Sequence, residues 1–144
     1  MKNLTIALVI ASALTLCSCG KVTDEPLPDN AAAFASFEFT PPDSGDDGYR
    51  AITYNGRTYI PYGTQGKEFS YSELGECLCY WVQDGEEMKD VRLYTLTSDP
   101  DINFIAMTDE GFMSQPTFLR AIDTRGKEIP THDLITSLDY EYWK

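Results

Sequence analysis

Two short segments of alternating character flank an Asn-Gly pair, and this arrangement constrains the fold more than any other part of the sequence. Residues 51–54 (AITY) and 57–62 (RTYIPY) lie on either side of Asn55-Gly56. Asn-Gly tolerates the positive φ angles that both central residues of a type I′ turn require, so the sequence predicts a two-residue β-hairpin. Pro61 has no N–H to donate to a neighbouring strand. The second strand is therefore predicted to end there or to lie at the edge of a sheet.

More short strand-like segments follow the hairpin, separated by turns rich in Asp, Gly and Pro. Residues 76–83 (ECLCYWVQ) are apolar on both faces, which is typical of a central strand covered on both sides. Turns about every ten residues favour an antiparallel arrangement. We therefore predict a mainly β (α+β) domain over residues 34–144, built as an antiparallel meander sheet or a small sandwich. Its other strands are predicted over residues 34–40, 91–97, 102–108 and 117–123.

One short helix is predicted near the C-terminus. Thr131 is a suitable N-cap for a helix over residues 131–138 (THDLITSL). Leu134, Ile135 and Leu138 would lie on one side of that helix and pack against the sheet.

The N-terminus has the plan of an export signal. A single positive side chain, Lys2, precedes residues 4–16, which carry no charge and no Gly or Pro. Thirteen helical residues span roughly 20 Å, which is short of a membrane's hydrocarbon core. A charged start, a short apolar middle and small residues at the exit predict a helical signal peptide rather than a membrane span.

The exit of this segment, Leu16-Cys17-Ser18-Cys19, resembles the lipobox of bacterial lipoproteins. The resemblance implies that residues 1–18 are removed and that Cys19 becomes a lipidated N-terminus. Cys17 is the competing lipidation site, but cleavage there would place the bulky Leu16 directly before the cut. Residues 20–33 (GKVTDEPLPDNAAA) have no periodicity, so residues 19–33 are predicted to be a lipidated, flexible tether. In the predicted domain, residues 34–144, we identify no motif of a known family.

The same resemblance implies a location in a bacterial cell envelope, with the membrane as a partner through the lipid. Gly20, rather than Asp, follows the lipidated cysteine. In a diderm cell this favours the outer membrane, and in a Gram-positive cell the signal implies the outer face of the plasma membrane.

The chain is strongly acidic, with 11 Lys and Arg against 23 Asp and Glu and a net charge of −12. Such a surface repels phosphate backbones, which argues against nucleic acid as a partner. It favours a cationic partner, such as a protein or a cell-wall component. The alternative is that the charge only keeps the domain soluble.

The sequence offers few residues for a metal, redox or catalytic site. Cys77, Cys79 and the single histidine, His132, are the residues that a metal or redox site would use, although zinc needs three or four ligands. On a regular strand, Cys77 and Cys79 lie at the limit of disulfide geometry, and a bulge would bring them together. The acidic loop with Asp43, Asp46 and Asp47 lacks the ligand spacing of a calcium loop. We predict no cofactor and favour a non-enzymatic protein.

Four tyrosines lie in or beside the hairpin: Tyr49, Tyr54, Tyr59 and Tyr62. Tyrosines on a sheet can form a contact surface, but they also simply favour strands. Our leading hypothesis is a lipid-anchored binding module, for example an immunity or inhibitor protein, that uses exposed sheet aromatics and an acidic face. The rival hypothesis is a small envelope hydrolase or a metal or redox protein that uses Cys77, Cys79 and His132.

Overall fold

The computed structural model describes residues 26–43, 45, 47–109 and 115–144. The described part is mainly β, as predicted. The predicted signal peptide and the lipidation site at Cys19 lie outside the described residues. Within the described residues, no helix has both the length and the apolar composition needed to cross a membrane. The strands are β1 (Ala32–Ala35), β2 (Phe37–Phe39), β3 (Tyr49–Tyr54), β4 (Arg57–Gln65), β5 (Leu74–Gln83), β6 (Glu86–Leu96), β7 (Phe104–Asp109), β8 (Thr117–Ala121) and β9 (Ile135–Ser137).

The Asn-Gly hairpin is confirmed. Strands β3 and β4 pair antiparallel with Tyr54 opposite Arg57. Asn55 and Gly56 both have positive φ angles, of 49° and 74°. These are the turn positions for which the sequence selects Asn and Gly.

Of the two alternatives predicted for Pro61, the strand end is wrong, because β4 continues past it to Gln65. Pro61 is paired with Leu119 of β8, and the register shifts between Pro61 and Gly63. The described pairing between β3 and β4 ends at Tyr59. The Pro61 carbonyl accepts a hydrogen bond from the Trp143 indole at 2.8 Å, so a turn near the C-terminus covers this side of the strand. On the side away from β8, no strand pairs with Pro61, so the missing N–H is tolerated.

The sheet is nearly closed, with the strand order β1-β5-β6-β7-β8-β4-β3-β2. Strands β5 to β8 form the predicted antiparallel meander. The predicted strand over residues 34–40 is instead two strands. β1 pairs parallel with β5, and β2 pairs antiparallel with β3 at the other end of the sheet. Ser36 lies between them and donates its N–H to Val82 of β5 at 2.8 Å. One short segment of chain therefore joins the two ends of the sheet.

The core lies on both faces of this sheet. Successive side chains of a strand point to opposite faces, so each strand contributes to both. The inner cluster lies inside the nearly closed sheet and contains Ile52, Tyr59, Leu78, Trp81, Val91, Leu93, Ile105, Leu119 and Ala121. The outer cluster includes Tyr62, Phe104, Phe118, Ile129 and Ile135.

The predicted helix over residues 131–138 is confirmed only as far as Leu134 and is wrong beyond it. The chain forms a short 3₁₀ turn at Pro130–Leu134 and then strand β9. β9 pairs with the end of β4, with Ile135 opposite Gln65. A Cβ atom at Gly63 would lie 2.3 Å from the Thr136 carbonyl oxygen, so this close approach of two backbones requires glycine. The edge of β4 beyond Pro61 therefore pairs with residues 135–137, for which the sequence pattern predicted a helix.

Candidate binding site

An open cavity of about 300 Å³ lies at one end of the inner cluster. Side chains from strands β3 to β8 line it. Trp81, Val91 and Leu119 belong to both the cavity wall and the inner cluster, so the cavity is an opening into the core of the sheet. Met88 and Met107 add flexible apolar surface. Met88 is 38% exposed, one of four large apolar side chains that are exposed in the described part of the chain.

Charged and amide groups surround this apolar wall. Arg50, Gln83 and Asp109 line the cavity together with the sulfur-containing side chains. Arg50 donates two hydrogen bonds to the Asp84 carboxylate, at 3.1 and 3.0 Å, and both side chains are largely exposed. An apolar wall with a few polar groups at its margin is the usual composition of a site that binds a small ligand or an inserted side chain.

Away from the cavity residues, Arg57 at the start of β4 bonds to the loop before β7 and to Asp123. Its guanidinium donates to both carboxylate oxygens of Asp123, at 3.0 and 2.7 Å. It also donates to the carbonyl oxygens of Asp101 and Ile102, both at 2.9 Å. The buried Tyr59 hydroxyl donates to the same Ile102 carbonyl at 2.7 Å. These bonds hold Ile102 at a φ of 50°, a conformation that branched side chains rarely adopt.

The pair of Arg57 and Asp123 makes the stability of the domain depend on pH. The hydrogen bond from Arg57 holds the pKa of Asp123 below its usual range. The pair therefore contributes stability that is fully present above the unfolded pKa of about 3.9. This contribution is lost as the pH falls through the lower, folded pKa.

We expect the Asp123→Asn variant to lose less stability on acidification than the parent protein. The measurement is the free energy of unfolding in urea at about pH 7 and about pH 3. Asp133→Asn, at an exposed carboxylate, is the control and should keep the parent's pH dependence. A parallel loss of stability in the parent and in Asp123→Asn would contradict this assignment.

The four hairpin tyrosines do not share one exposed surface. Tyr59 lies in the inner cluster and Tyr62 in the outer cluster, because side chains alternate along β4. Tyr49 is buried on the outer face and makes an edge contact with Tyr140. Tyr54 is half-buried and contacts Phe34. These rings therefore contribute mainly to the core.

Cys77, Cys79 and His132 do not form a metal site. Both cysteines are free thiols, Cys77 half-buried and Cys79 buried. His132 is exposed, and its Nε2 is hydrogen-bonded to the Tyr62 hydroxyl. Across the part of the chain that the structure describes, no three His, Cys, Asp or Glu side chains converge as a set that could hold a metal ion. In the acidic loop, Asp43 and Asp47 are exposed, and Asp46 lies outside the described residues.

The sequence did not identify Trp81, Met88 and Met107 as site residues. Trp81 lies in a segment that is apolar on both faces, which predicts burial rather than a binding site. The one feature of the sequence that could have indicated this site is Met88, an apolar residue between acidic and basic neighbours just after a turn.

A comparison with protein families, with characterised proteins and with solved structures finds no match for this chain.

Proposed function

We propose that this chain is a lipid-anchored, non-enzymatic binding protein of a bacterial cell envelope. The observation that carries the binding function is the open apolar cavity, with Trp81 in its wall and Met88 partly exposed. An apolar side chain of a protein partner would enter this cavity. Buried aromatic and thioether contacts of this kind often supply a large share of the binding energy at protein interfaces.

Charge supports a cationic partner. The turn and strand start beside Met88 carry four exposed acids: Asp84, Glu86, Glu87 and Asp90. Asp84 is paired with Arg50, and Glu87 with Lys89, but the net charge of this region remains negative. Complementary charge accelerates encounter and fixes orientation, while the apolar anchor supplies affinity. Neutralisation of a basic, envelope-active toxin is one function of this kind.

Exchanging Met88 for glutamine should weaken partner binding about tenfold or more, the effect of losing an apolar anchor. The glutamine leaves the net charge unchanged, so the loss isolates the apolar contact. Leu138→Gln is the matched control, because Leu138 is 45% exposed and is not among the residues that line the cavity. The unlipidated chain, Cys19→Ala, serves as bait in envelope extract, and titration of the captured protein gives the affinities.

The proposal predicts a partner that binds the parent and Leu138→Gln equally, and whose affinity falls with added salt. If Met88→Gln retains that partner with unchanged affinity, the cavity is not the binding site. If no protein saturates the parent bait at any salt concentration, the binding function itself is contradicted.

Anchoring is tested separately. Residues 20–31 separate Cys19 from β1, which gives the domain a tether to the membrane. Two or more acyl chains hold a protein stably on a bilayer without a membrane span. Cys19→Ala should lose the lipid mass and move from the membrane pellet to the supernatant after cell fractionation. Cys17→Ala is the control and should remain in the pellet. Retention of an uncut, unmodified Cys19→Ala protein in the membrane fraction would contradict the anchor.

A further inference from the structure

Strand β5 is irregular at its two cysteines. Cys77 pairs with Tyr94 of β6 and Cys79 with Leu93, so Leu78 is an extra residue in a β-bulge. Cys79 has a φ of 130°, a conformation that residues with side chains rarely adopt. A backbone outlier of this kind is held by its surroundings and is common at functional positions.

The bulge shortens the separation of the two cysteines along the sheet. Cysteines two residues apart on a regular strand have Cα atoms about 6.5 to 7 Å apart, which is the limit for a disulfide. Here Cys77 and Cys79 lie opposite the adjacent residues Tyr94 and Leu93 of β6, so they are closer along the sheet than on a regular strand. Burial and the neighbouring Cys79 raise the pKa of Cys77. Cys77 is half-buried and therefore reachable from solvent, whereas Cys79 is buried behind it.

We propose that Cys77 and Cys79 form a reversible dithiol–disulfide site that reacts with small-molecule disulfides such as oxidised glutathione. The deprotonated Cys77 sulfur attacks one sulfur of the glutathione disulfide, and one glutathione thiolate leaves. The Cys79 sulfur, after giving up its proton to solvent, attacks the Cys77 sulfur and displaces the second glutathione. The two protein thiols are oxidised to one disulfide, and one glutathione disulfide is reduced to two thiols.

The redox reaction does not require the proposed binding function, because neither cysteine is among the residues that line the cavity. Trp81, in the cavity wall, follows Cys79 by two residues on the same strand. Closing the disulfide fixes the bulge that sets the direction of this segment. The redox state of the pair is therefore positioned to alter the shape of the cavity.

The test uses the full chain with Cys17→Ser and Cys19→Ser, so that Cys77 and Cys79 are the remaining cysteines. The folded protein is equilibrated at a series of ratios of oxidised to reduced glutathione, quenched with acid, and analysed by thiol alkylation and intact mass. The expected result is a joint loss of both thiols with a mass decrease of two hydrogen atoms, reversed by reduced glutathione. The rate should increase with pH, because the thiolate is the attacking species.

Single-cysteine variants provide the control. In the same background, Cys77→Ser and Cys79→Ser should never show the mass decrease of two hydrogen atoms. Circular dichroism verifies that each is folded, and the result for the parent does not depend on them. A lasting glutathione adduct, a disulfide-linked dimer, or thiols that remain reduced at every glutathione ratio would each overturn the proposal.

Discussion

Replacing Arg120 by alanine is expected to lower the free energy of unfolding by about 3–5 kcal/mol. Arg120 is 5% exposed and lies on β8, where its guanidinium packs against the rings of Tyr62 and Trp143 at 4.9 and 5.0 Å. It donates to the Thr124 hydroxyl and carbonyl at 2.8 and 2.7 Å, and to the Lys127 carbonyl at 2.8 Å. The side chain therefore attaches the turn after β8 to the outer face of the sheet.

The large effect has two physical sources. Truncation removes the packing between the guanidinium and the aromatic rings, which is stronger where water is excluded. It also removes the donor from the Lys127 carbonyl. The Thr124 carbonyl keeps a second donor, the N–H of Lys127, so it is less affected.

Arg125→Ala is the matched control. Arg125 lies over the Tyr142 ring at 4.6 Å, but it is exposed. Its loss should cost about 1 kcal/mol or less. Urea unfolding monitored by circular dichroism gives both values. Equal destabilisation by the two variants would show that Arg120 does not hold the turn.

Arg57→Ala should lower the free energy of unfolding by about 2–4 kcal/mol. The substitution leaves the Asp101 carbonyl without this donor and the Asp123 carboxylate without its bidentate partner. It also releases the Ile102 carbonyl from one of the two donors that fix its unusual backbone conformation. The loop before β7 should loosen, which hydrogen exchange of its amides would report.

Arg57→Lys tests whether geometry or charge matters. A lysine supplies a point charge but not the planar fork that reaches several acceptors at once. Arg57→Lys should therefore keep less than half of the stability that Arg57→Ala loses. Arg50→Ala removes an exposed pair with Asp84 and should cost about 1 kcal/mol or less. Full recovery of stability by Arg57→Lys would mean that simple charge is sufficient at this end of the sheet.

Local patterns in the sequence predicted the elements whose formation depends on neighbouring residues. The hairpin at Asn55-Gly56 needs only a turn with positive φ angles between two strand-forming segments. The meander of β5 to β8 follows from short strands separated by turns. The helix prediction over residues 131–138 failed beyond Leu134, because β4 extends past Pro61 and offers an edge to Ile135–Ser137. A distant strand overruled the local propensity.

The cavity was not predictable, because its wall comes from six strands whose register no local pattern reveals. Trp81 and Met88 face each other across the β5–β6 hairpin, but Leu119 is far from both in the sequence and joins them only when β8 completes the wall. The cysteine pair is an intermediate case. Its spacing suggested a pair at the limit of bonding distance, and the bulge at Leu78 placed the two cysteines opposite adjacent residues of β6.

The sequence by itself determined the β class of this domain, the position of its hairpin and a strong excess of acidic side chains, since these depend on composition and on residues close in the chain. The tertiary structure alone decided that Ser36 divides one segment between the two ends of the sheet, which nearly closes it. It also decided that Arg57 bonds to the loop before β7, and that Trp81, Val91 and Leu119 meet at one cavity. The physical reason is that closure depends on hydrogen bonds and packing between residues far apart in the sequence, which no local pattern encodes.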